Sequence, residues 1–261
     1  QFFTHYIHQN VNNEENGGLE DVSLFLGDDS RFNNRQNLSV NLTASDSRFS
    51  LRRYYFSQEF QFVNSEKYPF KLRHTLYHQA NKYRFIESSS ESYYTSSYVD
   101  DFDTYAYKFS KNLSNTISLV FDKKTFKLDA GFRHQLINLG TDRELPAAVG
   151  VVIPTENKEN RLGAVGNLEI KLWDKVDVKS FLEYSNGKSF GNYLRSENLL
   201  KLEPIKGYIL DAHVNFQSAI PSFNYLMNPS FYQNFNYNFG GAKNQSITEI
   251  GGKVNLKWFD S

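Results

Sequence analysis

His74 and His78, four residues apart in "HTLYH", are side chains whose spacing could do chemistry. On a helix that spacing sets two imidazoles on one face for zinc, with a carboxylate between them as base. No carboxylate separates them here, and Phe70, Leu72 and Leu76 alternate with Lys71, Arg73 and Thr75, which is a strand pattern. Both histidines then share the apolar side of a strand, which suits contact with another protein better than metal binding. Asp28 with Asp29, and Asp100, Asp101 and Asp103, offer oxygen ligands for a divalent cation. Loop acids are more often simply solvated, so neither group is assigned a metal. No Ser/His/Asp or paired-carboxylate frame is recognisable and the six histidines are scattered, so neither a catalytic site nor a cofactor is expected.

The elements that position these residues are strands. In "ISLVFDKKTFKLDAGF", Ile117, Leu119 and Phe121 alternate with polar residues up to an Asp-Lys-Lys-Thr break. Phe126, Leu128, Ala130 and Phe132 resume the alternation beyond it. Side chains on a strand point alternately to opposite faces, so this is a hairpin with one apolar and one wet face. The rhythm recurs in "NLEIKLWDKVDVKSFLEY", in "LKLEPIKGYILDAHVNF" and from Ile250 to Trp258. The connections after Phe121, Trp173 and Glu203 are short, whereas those at roughly 86–104, 138–160, 186–197 and 218–246 are long and polar. Short and long alternate, as in transmembrane barrels with short periplasmic turns and long extracellular loops. An aromatic followed by Asp marks three tight turns (Phe121-Asp122, Trp173-Asp174, Phe259-Asp260), as a membrane-interface girdle would. The segment 222–239 is expected to be a hairpin projecting from the loop end or part of one unusually long strand. "LPAAVGVVIP" within another loop reads as an inward constriction, a partner contact or a plain apolar anchor.

Composition narrows the class. The 261 residues suit one domain, 1–261, and 29 basic against 29 acidic residues argue against nucleic acid as a partner. With 23 Phe, 17 Tyr and no Cys, the chain favours pleated surfaces without a disulfide frame. No apolar run reaches the 18 or so residues a membrane helix needs. The fold expected is all-β: an antiparallel transmembrane β-barrel, incomplete in this chain, with roughly ten to twelve strands. The apolar face then meets outer-membrane lipid. The opposite face carries Lys71, Arg73, Lys127, Asp129, Arg133, Glu169, Lys171, Asp177, Lys179, Glu183, Lys201, Asp211, Glu249, Lys253 and Lys257. Either these line a water-filled pore or they pair across strands in a filled interior. A soluble β-sandwich or secreted binding module is the competing class.

The stretch "FKLRHTLYHQANKYRF" (70–85), the Tyr/Ser loop "SYYTSSYVDDFDT" and "KNLSNTISLVF" together resemble the Bacteroidota-type putative porins. The matching positions are His74, Thr75, Leu76, Tyr83, Phe85, Asp103, Thr104 and Asn112, and the resemblance is best over about 50–140. It implies an outer-membrane β-barrel and passive diffusion of small solutes. A structural or accessory subunit contacting other outer-membrane proteins is the alternative. Two departures are noted: no export signal precedes the first strand, and "KWFDS" reads as a turn where a closing aromatic strand is expected.

Overall fold

A computed structural model of the chain describes residues 1–15, 17–19, 23, 26–27, 39–62, 69–87, 104–142, 144–146, 152–230, 235–238 and 242–256. Ten long strands follow one another in a single antiparallel sheet. They are β1 (Phe2–Glu14), β2 (Ser45–Gln61), β3 (Phe70–Glu87), β4 (Thr104–Asp122) and β5 (Phe126–Gly140). Then come β6 (Glu156–Leu172), β7 (Val176–Asn186), β8 (Tyr193–Ile205), β9 (Tyr208–Ala219) and β10 (Gln245–Asn255). Each strand pairs only with its sequence neighbours, so the sheet is a pure meander. Among the described residues β1 and β10 do not pair with each other, and the sheet stays open. The expected all-β, antiparallel and incomplete barrel is what the chain forms.

The two faces have reversed polarity relative to a soluble protein. On one face Phe132 is 80% exposed and Ile117 57%, while on the other Thr116 is 8% exposed, Ser118 4% and Glu183 5%. The face that buries itself is therefore polar, and the face turned outward is apolar. That arrangement costs free energy in water and is favourable in hydrocarbon.

Curvature explains the burial. Arg73 on β3 reaches Asp129 on β5, and Arg133 on β5 reaches Glu183 on β7, each spanning an intervening strand. Side chains two strands, about 10 Å, apart meet more readily where the sheet bends toward them. Glycine makes the bend possible. A Cβ at Gly131 would lie 2.5 Å from the Ser118 Cβ, and one at Gly163 would lie 2.7 Å from the Ser185 Cβ. Gly163 sits directly between Arg133 and Ser185 in the register, so the Arg133 side chain crosses over a position with no side chain.

The outward apolar band is narrower than the strands are long. On β5 it runs from Phe126 to Leu136 and on β6 from Leu162 to Leu172, about the span of a transmembrane strand. Beyond it the outward positions turn polar at Lys82, Lys111, Asn138, Lys158 and Asn186. Strands β2 to β6 have 15 to 19 residues and so overshoot the band. This shortens two of the expected loops: 138–160 shrinks to 141–155 and 186–197 to 187–192, because polar residues on both faces still continue the ladder.

At the other end the turns are tight. Lys123 and Phe126 exchange backbone hydrogen bonds at 2.9 and 3.2 Å, closing β4 onto β5. Trp173 and Asp174 both have φ of 53°, which makes them the central pair of the β6–β7 turn. Lys206 and Gly207 turn β8 into β9 after a register irregularity between Leu202 and Ile205. Pro204 lies inside that irregularity, as its missing N–H requires. The short connection expected after Glu203 is thus partly strand, since β8 continues to Ile205. Phe60, Phe62, Phe70, Phe121, Phe126 and Trp173 crowd this end, with Phe121 centred 5.0 Å from Phe70 and 5.8 Å from Phe126. Phe259-Asp260 lies outside the described residues.

Candidate functional site

The inner face is built from register. Opposite residues in an antiparallel pair share a face, and strand pairing converts a scatter of charges into an ordered row. Lys171 faces Asp177, Asp177 faces Lys201, Lys201 faces Asp211 and Asp211 faces Lys253, alternating in sign over five strands. Beside it Lys127 faces Glu169, which faces Lys179. On the earlier strands Arg73 donates to Glu59 at 2.8 Å while also reaching Asp129, and Lys71 lies 3.6 Å from Glu59. Charges of opposite sign opposite one another are mutually stabilising, and among the described residues no large field of one sign is left on these rows.

Farther from the turns the charges thin out among hydroxyl, amide and aromatic side chains. One register row reads Ser57, Thr75, Thr116, Arg133, Gly163, Ser185 and Tyr193, and the next reads Tyr55, Tyr77, Ser114, Gln135 and Arg161. Between them these rows floor a cavity of about 460 Å³. Arg133 donates from Nε to Thr116 Oγ1 at 3.1 Å and its other arm holds Glu183.

Three loop segments fold over this face at its far end. Glu159 accepts from the backbone N–H groups of Lys188 and Phe190 at 2.9 and 2.7 Å, and from that of Ser189. Arg161 donates to the carbonyls of Phe190 and Gly191 at 3.1 and 3.0 Å. These two buried side chains pin the 187–192 loop inward. The 220–238 connection contains a helical turn at Phe223–Leu226 and a small hairpin pairing Met227–Asn228 with Tyr237–Asn238. Ile220, Pro221 and Leu226 share a cavity with Gln79, Asn81 and Leu139 of the sheet. Asn238 Nδ2 donates to the Val152 carbonyl at 2.9 Å, joining this connection to the 152–153 segment, where Ile153 is fully buried. Lys108, above the band, shares a cavity with Asn228 and Phe235, and burial holds its pKa below the ordinary lysine value.

An antiparallel meander that is greasy outside, polar inside and looped at one end is what a membrane barrel wall requires. A family model described as putative porin matches residues 1–261. The chain belongs to the putative porin family. No curated protein and no solved structure matches it.

In this porin-family chain the fourteen charged positions from Lys71 to Lys253 that sequence placed on the polar face all lie on the inner face. Lys257 lies outside the described residues, as do Asp28, Asp29, Asp100, Asp101 and Asp103. His74 and His78 point outward, and each meets neighbours there. His74 lies 3.2 Å from Gln58 Nε2 and 3.4 Å from Asn115 Oδ1, and the His78 ring is 6.0 Å from that of Tyr54. Within 222–239, expected as a projecting hairpin or part of one unusually long strand, Met227–Asn228 pairs with Tyr237–Asn238 and the segment folds inward. It adds no strand to the main sheet, which leaves the alternation of turn and loop intact. Leu145–Pro146 pairs with Val152–Ile153, and 147–151 lies outside the described residues. Sequence reading missed Glu59, Glu159, Arg161 and the tyrosines of the cavity. Parity was the signal available: Tyr55 and Tyr77 sit at inward positions, but uncharged residues were not counted.

Proposed function

We propose that this chain forms the wall of an outer-membrane porin through which small solutes diffuse passively. The reading is supported by the reversed polarity of the sheet, with Phe132 outward and Glu183 buried inward. Outer-membrane lipid covers the apolar band, the aromatic turn end lies at the periplasmic interface, and the long loops face outside. The inner-face charges named above line the passage, and their alternating signs disfavour strong selection between anions and cations. The inward segments around Ile153, Phe190 and Leu226 narrow it at the outer end. Backbone groups on the edges of β1 and β10 cannot stay unpaired in hydrocarbon, so both edges are paired by strands in the membrane. The test is single-channel recording of the purified protein in planar bilayers. Stepwise conductance is expected, and a folded, inserted protein that conducts no ions refutes the reading.

A second reading is favoured by one observation. Within the apolar band Gln58, His74 and Asn115 form a polar chain, and His134 lies 2.8 Å from Asn160 Oδ1 close by. Polar side chains turned toward lipid are costly unless another protein covers them. On this reading the barrel is an accessory subunit of a larger outer-membrane assembly. Blue-native gels after mild extraction should then show a complex larger than this chain alone, and migration only as a monomer would remove the reading.

A further inference from the structure

We infer that the cavity on the inner face is a binding site for a small neutral sugar, so that the passage favours mono- and disaccharides over ions. This deepens the porin reading and rests on it. The cavity is lined from seven successive strands, β2 to β8, and its volume of about 460 Å³ lies within the usual range for small-molecule sites. Its chemistry is what selects the ligand. Thr75 and Thr116 face each other directly and Tyr77 faces Ser114, with the Tyr77 hydroxyl donating to Gln79, so several hydroxyl-bearing residues from adjacent strands line one wall. A hydroxyl or amide side chain both donates and accepts, which matches the double character of a sugar hydroxyl. Asn112 and Gln135 add amides to the same wall.

Charge argues in the same direction. Arg133 is neutralised by Glu183, and Arg161 is engaged with the carbonyls of Phe190 and Gly191 while Glu159 holds the same loop. Both guanidiniums that line the cavity are therefore already engaged by protein groups, and a neutral polyol needs no counter-charge there. Three aromatic rings complete the wall. Tyr55 and Tyr77 are direct cross-strand neighbours on β2 and β3, and Tyr193 stands at the opposite side on β8. Aromatic rings supply apolar area with a polar rim, which suits the C–H faces of a pyranose.

The test uses the full-length protein in planar bilayers, with maltose and glucose as neutral probes and gluconate as the charged one. Maltose at millimolar concentration should interrupt the current in a saturable way, with gluconate at least tenfold weaker. Tyr77→Ala and Thr116→Val should each raise the half-blocking maltose concentration about fivefold or more, and Tyr55→Phe should raise it less. Conductance without sugar block, or equal block by gluconate, refutes the sugar site and leaves the porin reading standing. If the protein folds but does not conduct, the porin reading fails. Titration calorimetry with maltose on the folded protein in detergent then decides the site alone: saturable heat supports it and none refutes it.

Discussion

Reversing the charge of Lys201 gives the sharpest test of the register. Lys201 faces Asp177 on one side and Asp211 on the other, so Lys201→Glu turns two attractive cross-strand pairs into two repulsive ones. Directly opposed side chains sit about 5 Å apart, and an opposite-charge pair is worth roughly 0.2–1 kcal/mol. Coulomb's law in a water-like medium gives about 0.8 kcal/mol at that separation, in agreement. Changing each pair from attraction to repulsion therefore costs about 1.6 kcal/mol, or about 3 kcal/mol for the two. Lys201→Gln removes only the attraction and should cost about half as much. The measurement is urea unfolding of protein folded into lipid vesicles, followed by tryptophan fluorescence, with the slope against urea unchanged. In 1 M salt, where the screening length falls to about 3 Å, the difference between the two variants should largely vanish. If Lys201→Glu costs no more than Lys201→Gln, or if salt leaves the gap untouched, the alternating row does not exist as described.

Further outcomes follow from other parts of the fold. Phe132→Arg, in the middle of the outward band on β5, should destabilise vesicle-folded protein by about 2–4 kcal/mol, and Asn186→Arg, beyond the band, by no more than about 1 kcal/mol; equal costs would indicate that no hydrocarbon slab surrounds the sheet. Glu159→Ala removes the acceptor for three backbone N–H groups of the 187–192 loop and should cost that loop about 2–3 kcal/mol of local stability. Proteinase K added to intact cells should then cleave near Phe190 much faster than in the unaltered protein.

How much of this was legible beforehand depends on how local each feature is. Alternation over neighbouring residues is written into the chain, because side chains of an extended strand must point in turn to opposite faces. From Ile117 to Phe132 this gave the strands, the tight turn between them and the polar and apolar faces without any partner. It also put the fourteen described positions of the polar-face set, Lys71 to Lys253, on one side, since parity is kept along a strand and through a tight turn. The overshoot of β5 and β6 was not legible, because residues such as Lys158 and Glu159 are polar on both faces and resemble a loop. Only hydrogen bonding to β5 keeps them in the ladder.

Three features were decided by tertiary structure alone. The alternating row from Lys171 to Lys253 exists because strand pairing sets who faces whom, and a one-residue slip would send every member to the other face. The reach of Arg133 over Gly163 to Glu183 depends on the bend of the sheet, which brings together residues fifty positions apart. The inward fold of the 187–192 and 220–238 segments depends on Glu159, Arg161 and Val152, each distant in sequence from what it holds. Period and parity are properties of a few consecutive residues, so the chain alone determined faces and turns. Register partners, curvature and loop direction arise from contacts between remote segments, and only the assembled sheet could choose among them.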